Sequence, residues 1–129
     1  MKNPPGPSFR RRLLIESLTV VAADPSSQRA WVDEHGVATD EIVLDFDHAF
    51  RMVESLVEGG EISREVRPDL QTIDAIFAGM SGRANSERWS REALAVDPGW
   101  TEARELARRV LVDVQGEWNL PMPAVCIIR

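Results

Sequence analysis

The chain of 129 residues has no tyrosine, a single cysteine, two histidines and a single lysine. Cys126 cannot form an internal disulfide. Within the apolar Val125-Cys126-Ile127-Ile128 run it reads as a small buried hydrophobe, with no His, Asp or basic cluster in its own segment to activate it. Two histidines are too few for the familiar metal motifs. Glu34, His35, Asp40 and His48 match no zinc or calcium spacing, so no metal and no cofactor is expected. No apolar stretch approaches the ~20 residues that span a bilayer, and the opening lacks the apolar centre of a signal peptide. The expected location is cytoplasmic, away from membranes.

What is abundant is negative charge. Fourteen arginines and one lysine face 21 Asp and Glu, a net charge of −6. Such a surface repels nucleic acid and anionic lipid and offers carboxylates to a basic protein. The preference for Arg over Lys also follows from GC-rich codon usage, but the net charge does not. With 43% hydrophobic and 28% charged residues, the composition is that of one globular domain, here 8–129, behind a Pro-rich arm at 1–7 that has little to bury.

Periodicity predicts a mainly α fold: a compact bundle of five or six helices. Ser8 is the expected N-cap of a first helix whose stripe is Leu14, Ile15, Leu18, Val21 and Ala22. Asp24-Pro25 opens a second helix over 25–35, anchored by Trp31 and ended by Gly36. A central helix is expected over 45–58, with Asp45 as its cap, Phe46, Ala49, Phe50, Val53 and Val57 on one face, and Asp47 paired with Arg51. A fourth enters through Ser63 and Pro68, carries Leu70, Ile73, Ile76, Phe77 and Met80, and closes at Gly82. A short helix from about 86 or 90 to 96 leads into a long one from Asp97-Pro98 to Gly116, where Glu105 can pair with Arg109. Residues 41–46 read as a strand or an extended lead-in, and 124–128 as a terminal strand. The two form a two-stranded ribbon, or 124–128 pairs between molecules.

Ala93-Leu94-Ala95-Val96-Asp97-Pro98-Gly99-Trp100-Thr101-Glu102-Ala103 resembles the junction between tetratricopeptide repeats, and Val21-Ala22-Ala23-Asp24-Pro25 echoes it more weakly. The resemblance covers some twenty residues of the chain. The two Asp-Pro junctions lie 73 positions apart, no multiple of that family's period of about 34 residues, and its Trp and Tyr signature is missing. Asp-Pro as a plain helix start accounts for both.

Asp45, Asp47 and His48 are the densest group of acid/base side chains. His48, however, points about 140° from the Phe46/Phe50 stripe, towards solvent. Asp74, at the edge of the Leu70/Phe77 stripe, is the expected shifted acid or an Arg partner. Gly79-Met80-Ser81-Gly82-Arg83 lacks the strand and lysine of a phosphate loop and reads as a helix terminus. Arg10-Arg11-Arg12 is the one dense basic run, expected to be solvated or paired internally. Trp118, Leu120 and Met122 are candidate hydrophobic anchors for a partner, unless Trp118 folds back over the last helix. The leading expectation is a non-enzymatic, acidic protein-binding module of the immunity or antitoxin kind that neutralises a basic protein. Two alternatives stand beside it: a small enzyme or metal-dependent protein built on Asp45, Asp47, His48 and Asp74, and an accessory or regulatory homodimer joined through the terminal strand.

Overall fold

Helices form where apolar spacing and end signals agree, and the computed structural model, which describes residues 7–123, follows that rule over most of its length. Among the described residues there are seven α-helices and no strand: α1 Pro7–Ala22, α2 Pro25–His35, α3 Asp40–Phe50, α4 Val53–Glu58, α5 Arg67–Gly79, α6 Ala93–Val96 and α7 Pro98–Gln115. Two 3₁₀ segments, Arg64–Val66 and Arg83–Trp89, complete them. Residues 1–6 of the arm, the strand expected at 124–128 and Cys126 lie outside the described residues.

The second half of α1 is buried all round from Ser17 to Ala22, as suits a central helix. Its hydroxyls are satisfied locally: Ser17 donates to the Leu14 carbonyl and Thr19 to that of Ile15. Around it pack α3, α4 and α7, while α5 lies against α3 and α7. An aromatic chain joins these layers. Phe46 stacks on Phe50 and meets Phe77, which meets Trp100, which meets Trp89 edge-on. Trp100 is fully buried and its indole donates to the Arg88 carbonyl at 2.9 Å.

Asp97 caps α7 by accepting from the Gly99 and Trp100 amides, and Arg88 grips the same carboxylate through Nε and Nη2. That crowding explains Gly99, where a Cβ would lie 2.8 Å from Met80 Sδ and 2.9 Å from the guanidinium. At the far end Gly116 is left-handed (φ 85°), as Gly36 is after α2 (φ 63°).

Five expectations need correction. The stretch 41–46 is helical, so the ribbon lacks its first strand: α3 starts at Asp40, with Asp40 and Glu41 placing negative charge in the first turn, and Ile42 and Val43 are tolerated inside it. Asp45 therefore sits inside the helix and is no cap. The helix expected over 45–58 is broken at Met52 (φ −102°, ψ 5°), which yields α3 and α4 and raises the helix count. Ser8 lies inside α1 because Pro7 opens it. Arg109 pairs with Asp69 of α5, through both nitrogens at 2.8 and 2.9 Å, and not with Glu105. Boundaries also shift around α5, which ends at Gly79, and the expected helix ending at Val96 is split into a 3₁₀ segment up to Trp89 and the short α6 over Ala93–Val96.

Trp100→Ala removes the junction of the aromatic chain and an indole bond, and should cost about 3–5 kcal/mol in urea unfolding. An unchanged midpoint would place Trp100 outside the cooperative core.

Candidate functional site

An open cleft of about 360 Å³ lies between α3, α4 and α5, lined by Asp47, Phe50, Arg51, Val53, Glu54, Arg67, Gln71 and Asp74. Helical spacing assembles it: 47, 50, 51 and 54 follow one side of the α3–α4 run, and 67, 71 and 74 one side of α5. Arg51 holds Asp47 at 2.9 Å and Arg67 holds Glu54 at 2.7 Å. Both guanidinium groups are thereby committed, and among the described residues no arginine forms the expected ion pair with Asp74. Partial burial, followed by the charge of Asp47, raises the Asp74 pKa.

The acid/base group expected around His48 is dispersed. Asp47 and Asp74 share the cleft, whereas Asp45 lies about 200° and His48 about 100° around α3 from Asp47. His48 is exposed, as its helical position predicts. Among the described residues no three His, Cys, Asp or Glu side chains are placed to hold a metal ion. His35 Nδ1 lies 2.8 Å from the Trp31 carbonyl, in the last turn of α2. The 79–83 stretch is a helix terminus and turn. Of the basic run, Arg11 donates to the carbonyls of Glu61 and Val114, and Arg12 lies 3.9 Å from Glu16.

Trp118, Leu120 and Met122 are half-buried against the core. Trp118 folds back, its ring 3.7 Å from the Arg108 guanidinium carbon. What sequence reasoning missed is how the arginines are used. Seven of them hold seven different carboxylates, while Arg104 is buried against carbonyl and amide oxygens. Partners 40 to 86 positions apart, such as Asp69 with Arg109 or the Ala22 carbonyl with Arg108, leave no local signal. The outer face of α7 keeps Glu102, Glu105 and Asp113 exposed and without ion pairs among the described residues, beside Arg109, already neutralised by Asp69, and the half-exposed Val112.

No helix among the described residues is long and apolar enough to cross a membrane. Compared with known proteins, the chain matches no family model, no curated protein and no solved structure.

Because its folded pKa is raised, Asp74 favours folding below its unfolded pKa and loses that advantage as pH rises through the folded value. Asp74→Asn should therefore raise stability at pH 7, by less than about 1 kcal/mol at this partly exposed position. The gain should vanish in thermal melts at acid pH; a gain independent of pH would deny the desolvation of the carboxylate.

Proposed function

We propose that this chain is a non-enzymatic binding module that captures a basic protein on the acidic outer face of α7, as an immunity or antitoxin protein does. The observation that carries this reading is the fate of the arginines. Most of them are drawn into ion pairs and helix-end contacts, while carboxylates such as Glu102, Glu105 and Asp113 stay exposed. Val112, 50% exposed among them, supplies an apolar contact inside the charged face. Rim carboxylates of this kind steer a cationic partner into encounter and are weakened as salt shortens the screening length.

The enzyme reading keeps one observation in its favour, the raised pKa of Asp74 in the α3–α5 cleft. A carboxylate there would act as a proton donor or acceptor without help from Asp45 or His48, whose positions on α3 turn away from the cleft.

Capture from the source lysate, run in parallel with the parent and with Glu102→Lys, Glu105→Lys and Asp113→Lys combined, tests the acidic-face reading. A basic protein should be retained by the parent at low salt and fall at least tenfold with the triple variant and in 0.5 M salt, about the regime where screening reaches a few ångströms. Equal retention by both proteins would contradict it.

A further inference from the structure

Residues 117–123 follow the left-handed Gly116 and contain neither helix nor strand. They cross the end of α1 and the start of α2, over a small pocket of about 50 Å³ whose walls include Thr19, Ala23 and Ser27. Trp118, Leu120 and Met122 occupy alternate positions, and a tight turn in which the Leu120 amide donates to the Trp118 carbonyl at 2.9 Å lets all three pack against the core. All three are only half-buried, whereas Thr19, Ala23 and Trp31 beneath them belong to the buried interior. Two anchors hold the segment. Trp118 stacks on Arg108, and Trp31 Nε1 donates to the Pro123 carbonyl at 2.8 Å.

We propose that residues 117–123 form a releasable strap that fills, in cis, a groove suited to a short turn-forming peptide carrying an aromatic residue followed at alternate positions by aliphatic ones. Gly116 provides the hinge, and Arg108 remains in place when the strap leaves, because it also donates to the Ala22 carbonyl and to Asp24. Release therefore removes the Trp118 contact and the Trp31 bond without unmaking the helix packing. The groove then accepts a free segment of the same chemistry. This inference is independent of the acidic-face reading.

Three indole N–H groups have carbonyl partners: Trp31 on Pro123, Trp89 on Met80 and Trp100 on Arg88. Only the first depends on the strap. In hydrogen exchange of the full chain followed by NMR, the Trp31 indole should exchange at least tenfold faster than those of Trp89 and Trp100. A synthetic peptide matching residues 116–123 should shift the Trp31 indole signal saturably in Trp118→Ala, and more weakly in the parent. Equal exchange at Trp31 and Trp100 would overturn the strap, since it would open only on global unfolding. Rapid exchange with no peptide-induced shift in either protein would overturn the groove. Should Trp118→Ala fail to fold, exchange and peptide titration of the parent decide the matter alone.

Discussion

The buried guanidinium of Arg104 is the constraint around which this fold is arranged. It is 7% exposed and has no carboxylate partner among the described residues. Its Nε donates to the Ala23 carbonyl just beyond α1, and its Nη2 to the Leu94 carbonyl in α6 and to the Gln28 side chain in α2. Gln28, fully buried itself, passes the connection on by donating to the carbonyls of Val20 and Val21. Four helices thus converge on one cation, whose charge is met by carbonyls that helix ends leave without intrahelical donors. Burial, then the neighbouring Arg108, lowers its pKa, opposed by Asp24 and Glu105. Guanidinium is so weak an acid that the group remains charged at neutral pH.

The same chemistry extends along α7. One turn on, Arg108 repeats the device at the Ala22 carbonyl and Asp24 and lends its other face to Trp118. From the end of α7, Arg11 of α1 reaches the Val114 carbonyl. Arginine suits these tasks because its planar fork serves several acceptors at once while its face stacks on an aromatic ring. Interior and helix-end work absorbs positive charge and, alongside exposed acids elsewhere such as Glu34, Glu58, Glu65 and Glu92, leaves Glu102, Glu105 and Asp113 of α7 outward. Fold and proposed function meet there.

Legibility in the sequence followed the range of the signals. The ends of α2 and α7 were readable because Asp-Pro and Gly act within a few residues, and the apolar faces of α5 and α7 because their spacing repeats. The 41–46 stretch misled because Ile42, Val43 and Leu44 are contiguous and apolar, while the acidic first turn at Asp40 and Glu41 is the subtler sign. Asp47 with Arg51 was legible at one helical turn; Asp69 with Arg109 and Arg104 with Ala23 were not, since tertiary packing alone brings them together. The boundary position of Asp74 was evident from its stripe, but its lack of a cation depended on Arg51 and Arg67 choosing other carboxylates.

Urea unfolding of Arg104→Met beside Arg109→Met tests the central claim most directly. The first removes the donor shared by Ala23, Gln28 and Leu94 and leaves buried acceptors unsatisfied, so it should lose about 3 kcal/mol or more. The second breaks only an exposed pair and should lose less than about 1 kcal/mol. An Arg104→Met protein as stable as its parent, or no less stable than Arg109→Met, would contradict the view that four helices are held by one buried cation.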